Sequence, residues 1–165
     1  MTARIARLWR KAGTFGRDFP WWQKLLVPVV IVGLGFARLA VLTLPFRWYA
    51  PVLGARRMAD GVEARMPADP AKAVGLSRVI RASAAVTPWV SNCLPQAMVA
   101  AWLLRRFGIA YAVYLGLRRD QVPGDRPLEA HAWTIAGDVP VTGYRESRAM
   151  TPVAAFVWPA ALALS

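Results

Sequence analysis

A chain of 165 residues is long enough for one ordinary hydrophobic core and too short for two. Its hydrophobic share of 56%, mean hydropathy of +0.34 and net charge of +12 are uneven along the chain: residues 1–81 carry 14 basic and 4 acidic side chains (+10), and residues 82–165 carry 7 and 5 (+2). Arginines set between long aliphatic runs, without a single basic face or base-stacking aromatics, argue against a nucleic-acid partner and for attraction to an anionic membrane surface, while a lone cysteine excludes an intramolecular disulfide and fits a cytoplasmic setting.

Met1 to Pro20 has the basic flank of a signal peptide in Arg4, Arg7, Arg10 and Lys11, but no small-residue cleavage site follows the apolar run, so a cleaved signal is not expected. Leu25 to Ala37 is uncharged, LLVPVVIVGLGFA; Arg38 interrupts it, and LAVLTLPF continues to Phe46. Neither run reaches the roughly 18 residues needed to cross a bilayer alone. Joined they are long enough, against a central arginine that costs about 2.5–3.5 kcal/mol and against the helix-weakening Pro28, Gly33 and Gly35. Three arrangements stay open: a span anchored in the inner membrane, an interfacial helix peripheral to it with Trp21, Trp22, Trp48 and Tyr49 as belt residues, and a helix buried over a catalytic core.

Asp69 suits a helix N-cap and Pro70 the first helical position, where its missing N–H costs nothing. Val74, Val79, Ile80 and Ala84 keep an approximately helical period, and Thr87-Pro88 ends it. A boundary near Met66 to Pro70 divides the chain into a basic, apolar helical segment, residues 1–65, and a catalytic domain, residues 66–165.

In WVSNCLPQAMVAAWLLRRFG, the polar pair Ser91-Asn92 precedes Cys93, and a helical pattern through Met98, Ala101, Trp102 and Leu104 stops at Gly108. Cys93 therefore opens a helix. Backbone N–H groups and the positive end of the dipole suit a thiolate nucleophile there, and the same N–H groups can hold an oxyanion. After Gly108 the period changes to two. IAYAVYLGLRR reads as a strand, Arg118 to Pro127 as a polar turn with Asp120, Gly124 and Asp125, and EAHAWTIAGDVPVTG as two strands joined at Gly137-Asp138 with His131 at the head of the first. A final strand runs from Met150 to Trp158. A cysteine-bearing helix packed on an antiparallel sheet that bears a histidine, behind apolar N-terminal helices, is an α+β architecture.

A lone cysteine is more often a small core residue than a nucleophile, and a lone histidine more often structural. Their settings, a helix start after a polar pair and a strand head beside small alanines, make Cys93 and His131 the candidate dyad. Gln96, one turn on, reads as an oxyanion donor or a helix-surface residue. Trp89 and Trp133 read as core aromatics rather than walls of the site, and Arg105-Arg106 and Arg118-Arg119 as solvated ends of elements. One cysteine and one histidine make no metal-ligand set, and no glycine motif cradles a phosphate, so no cofactor is expected.

The ordered set Trp89, Ser91, Cys93, Leu94, Pro95, Gln96, Ala97, then WLLRRFGI, YLGLRRD, AHAW at Ala130 to Trp133, and Pro140-Val141-Thr142-Gly143 resembles the transglutaminase-like (papain-like) domain of lasso-peptide leader peptidases, in particular the stand-alone protease half of split maturation systems. The likeness covers about residues 66 to 158, and the apolar segment ending in LPFRW is also similar. In that family the cysteine attacks the bond joining leader to core peptide and the histidine is the base, which implies those roles for Cys93 and His131. Relatives with a full triad carry an aspartate about twelve positions after the histidine, where Gly143 stands here. Asp138 is the nearest carboxylate and is taken as the third catalytic residue, against its reading as a solvated turn residue. Glu146 is a further candidate, and a backbone carbonyl or an amide can also hold the dyad.

Fused relatives carry a small leader-binding module with a strand edge, and residues 1–65 read as helical without such strands. The resemblance therefore implies a separate leader-peptide-binding protein as partner, the precursor peptide as substrate, and association with the macrocycle-forming ligase. Two other classes stay open: a non-catalytic membrane-associated scaffold of the same fold, and a Cys/His acyltransferase or amidase on another substrate.

Overall fold

Pro20 precedes the first helix of the computed structural model, which describes residues 19–58, 69–118 and 129–159. Helix α1, Trp21–Thr43, is one unbroken element with Pro28 inside it, and it ends where Pro45 follows. Its buried residues Gln23, Val30, Leu34 and Ala37 fall on one helical face. A second helix, α2, Phe46–Leu53, leads into a short strand, β1, Ala55–Arg57. Residues 1–65, read from sequence as helical, thus also supply one short strand, to the main sheet. ARR carries no β-branched or aromatic residue, and its pairing with the last strand, not its propensity, makes it extended.

Asp69 caps α3, Pro70–Val86, its carboxylate accepting from the Lys72 backbone N–H at 2.8 Å, with Pro70 at the first turn as its missing donor allows. That hydrogen bond holds the Asp69 carboxyl below the usual carboxylate range. Helix α4, Cys93–Arg106, ends at Gly108, whose φ of 67° suits a helix stop. Strands β2, Tyr111–Arg118, β3, Ala130–Ala136, β4, Val139–Thr142, and β5, Met150–Trp158, join β1 in an antiparallel sheet of order β1-β5-β2-β3-β4. A four-residue helix, α5, Tyr144–Ser147, links β4 to β5.

The described residues form three layers: the sheet, then α3 and α4 across one face of it, then α1 across both helices. Leu76, Ile80, Leu103, Leu104, Tyr111 and Val113 are fully or almost fully buried between sheet and helices, and Val30 and Leu34 of α1 join the same core. Arg4, Arg7, Arg10 and Lys11, the turn residues Asp120, Gly124 and Asp125, and the proposed boundary at Met66 lie outside the described residues. By length and composition α1 can cross a membrane: its most apolar stretch has a mean hydropathy of 2.4 and is only 17% buried.

Candidate active site

Cys93 is the first residue of α4, partly buried and packed against the core. Asn92 stands at the N-cap, yet its side chain makes no capping hydrogen bond. Pro95 has no N–H to offer, and the Gln96 N–H returns to the Asn92 carbonyl at 3.3 Å. The amides of Cys93 and Leu94 are therefore the first-turn donors that the helix leaves for an incoming oxygen. The preceding loop is tied down from several sides. Thr87 donates to the Trp89 carbonyl at 3.1 Å and lies 2.9 Å from the Ser91 hydroxyl, Arg38 of α1 donates to the Val90 carbonyl, and Gln96 Nε2 donates to the Ser91 carbonyl at 2.8 Å. Gln96, a candidate oxyanion donor by sequence, is thus engaged with its own loop.

The connection from Arg106 to Tyr111 is short, so β2 runs back along α4, and β3 starts beside the end of β2, with Leu117 opposite Ala130. Cys93 and His131 consequently lie at the same end of the helix–sheet layer. Alternation along β3 sends Ala132, Thr134 and Ala136 toward the helices, and His131 and Trp133 to the other face. There the rings of Tyr114, Trp133 and His131 stack in series, with centroids 5.5 and 6.3 Å apart and planes within 16°. Burial pushes the Tyr114 hydroxyl above the usual tyrosine range. Among the described residues no hydrogen bond joins the Cys93 thiol to the imidazole.

His131 Nε2 lies 2.8 Å from the Gly143 carbonyl oxygen. A carbonyl only accepts, so Nε2 carries the proton and the neutral ring keeps its free lone pair on Nδ1, the tautomer a general base needs. The Gly143 backbone carbonyl thus orients the imidazole. The Glu146 carboxylate on α5 is 3.9 Å from Nε2 and largely exposed, too far for a hydrogen bond.

Asp138 is corrected. It is exposed in the turn between β3 and β4, six residues beyond the imidazole's neighbour Ala132. At about 3.3 Å per strand residue it is roughly 15–20 Å from His131 and cannot touch it. Arg105 is corrected as well: it donates to the Tyr111 hydroxyl at 2.8 Å and the Val52 carbonyl at 3.1 Å, tying the end of α4 to β2 and α2. Burial raises the Tyr111 hydroxyl above its ordinary range, with Arg105 opposing in part. Arg118 pairs with Glu129 at 2.7 Å, and Arg119 lies outside the described residues. Trp133 is buried beneath the imidazole, both core aromatic and wall, and Trp89 packs its ring against Gly35. Sequence reasoning missed Arg38 and Thr87; of the groups it left open for holding the imidazole, a backbone carbonyl, that of Gly143, is the one in contact. Among the described residues no group of His, Cys, Asp and Glu could hold a metal ion.

A sequence model described as transglutaminase-like superfamily matches residues 39–155, more than two thirds of the chain. The match begins inside α1. Comparisons with curated proteins and with solved structures found no match.

Proposed function

The chain belongs to the transglutaminase-like superfamily, and from that premise we propose that it is a cytoplasmic cysteine peptidase that removes the leader from a lasso-peptide precursor. The observation that carries the reading is a cysteine at the free N-terminus of α4 and, at the same end of the sheet, a histidine whose Nε2 is committed to a carbonyl. The finer substrate rests on the ordered motifs from Trp89 to Gly143.

On this reading the thiol and the imidazole, which stand at the same end of the sheet but on opposite faces of it, come together when the substrate binds. Nδ1 of His131 takes the thiol proton, the sulfur attacks the carbonyl carbon between leader and core, and the oxyanion sits on the amides of Cys93 and Leu94. The C–N bond then breaks as the imidazolium returns the proton to the leaving amine of the core peptide. A water, deprotonated by the same nitrogen, hydrolyses the thioester, freeing the leader carboxylate and the thiol. The precursor is presented by a separate leader-binding protein, and the released amine passes to a macrocycle-forming ligase. Tethering by the partner raises the effective substrate concentration to the millimolar order.

Cys93→Ala and His131→Ala each abolish cleavage of the precursor in the presence of the leader-binding partner, and the double variant is no worse than either. Circular dichroism checks that both stay folded. Cleavage by the Cys93→Ala protein at a tenth of the wild-type rate or more would exclude the peptidase. That no hydrogen bond joins the thiol to the imidazole among the described residues favours a second reading, a non-catalytic binding module of the same fold. Iodoacetamide labelling of Cys93 at neutral pH no faster than a model thiol decides for that module.

A further inference from the structure

The face of α1 turned away from α3 and α4 carries Trp21, Leu25, Val32, Phe36, Leu39 and Leu42, each between 56% and 74% exposed, at steps of three, four or seven residues that keep one helical stripe. It runs the full length of the helix, about 34 Å at 1.5 Å per residue. Trp48 on α2 and Trp102 on α4, 67% and 48% exposed, extend it sideways around an open apolar groove of about 530 Å³ between the three helices. Monomeric proteins in water rarely leave contiguous apolar patches beyond a few hundred Å². This patch needs a cover.

Charge selects the cover. From residue 19 to 58 the chain holds Lys24, Arg38, Arg47, Arg56 and Arg57 and no acidic residue, and α4 adds Arg105 and Arg106 with none. A second copy would bring the same cations against these, on a chain of net charge +12. An anionic bilayer surface matches both the apolar stripe and its basic rim, and indoles at both ends of the patch, Trp21 and Trp48, suit the headgroup level. The opposite face of α1 buries Val30, Leu34 and Ala37 against α3 and α4, so lipid cannot surround the helix as it surrounds a span.

We infer that the protein docks on anionic membranes by the α1–α2 face, α1 lying in the plane of the interface and the groove taking acyl chain. The inference stands apart from the peptidase chemistry. The test is cosedimentation of the full chain with phosphatidylcholine vesicles, with and without phosphatidylglycerol, at low and high salt. Binding appears only with the anionic lipid, weakens with salt, and is released by alkaline carbonate. Phe36→Ser with Leu39→Ser lowers the partition coefficient at least tenfold, and Lys24→Glu with Arg47→Glu lowers it on anionic vesicles, both with unchanged circular dichroism. Absence of binding to anionic vesicles, equal binding to neutral ones, wild-type binding by the Phe36/Leu39 variant, or retention through carbonate overturns the inference. So does a dimer in solution that the Phe36/Leu39 variant dissociates, since a second copy then occupies the face.

Discussion

Gly143 holds the imidazole with its carbonyl at a backbone φ of 66°, a conformation that strains an L side chain. A Cβ there would collide with the Ala132 carbonyl oxygen and stand 2.9 Å from His131 Nε2. Gly143→Ala should therefore cost about 1–3 kcal/mol of stability, the range for such strained residues, and lower kcat/KM for leader cleavage by displacing the ring; chemical denaturation and cleavage kinetics measure the two. Gly143→Asp should not rebuild a triad but lose activity likewise, and a gain would show that the backbone can move to admit the carboxylate. Asp138→Asn should keep wild-type kinetics. The residues of the candidate dyad were legible because a helix start and a strand head leave local marks: a polar pair and a proline around Cys93, a change of period before His131. The group that orients the imidazole was not, because a backbone carbonyl has no letter of its own and nearness in sequence favoured Asp138, which strand geometry carries away.

Between elements, the contact of α1 with α3 turns on small residues. A Cβ on Gly75 would stand 2.6 Å from Gln23 Nε2 and 2.7 Å from the Trp22 ring, so α3 presents bare backbone to the first turn of α1. Gly75→Ala pits a gain in helix propensity of about 1 kcal/mol against overpacking that typically costs about 1–3 kcal/mol. Both partners are large or hydrogen-bonding groups, so the clash should win and the melting temperature should fall; calorimetry decides, and a rise would mean that Trp22 yields freely. Regular elements with caps and breakers were readable: Asp69 and Pro70 open α3, Gly137 and Asp138 turn β3 into β4, and β5 matches its expected bounds. What patterning could not give was the destination of each face. Arg38 looked like a charge interrupting an apolar run, yet it bonds the Val90 carbonyl ahead of Cys93, a contact across 52 residues that no local window contains.

At the scale of the whole molecule, the segment set apart by composition packs on the rest. Val30 and Leu34 are fully buried against α3 and α4, β1 is the edge strand that hydrogen-bonds β5, and the family match begins inside α1. Deleting residues 1–60 would uncover that face of the core and leave the β5 edge unpaired, an invitation to aggregate. Fully buried aliphatic side chains contribute about 1.5–3 kcal/mol each, and a domain of this size has a total stability of only about 5–15 kcal/mol, so losing Val30, Leu34 and Leu53 together removes a large part of it. The truncated protein should therefore show no cooperative thermal transition and little soluble yield. Val30→Ser with Leu34→Ser in the full chain should destabilise it severely, whereas Phe36→Ser with Leu39→Ser, on the opposite face of the same helix, should leave the melting temperature within a few degrees of wild type. A truncated protein that is soluble and unfolds cooperatively near the wild-type temperature would make residues 66–165 a domain in their own right, and the packing of α1 a dispensable attachment.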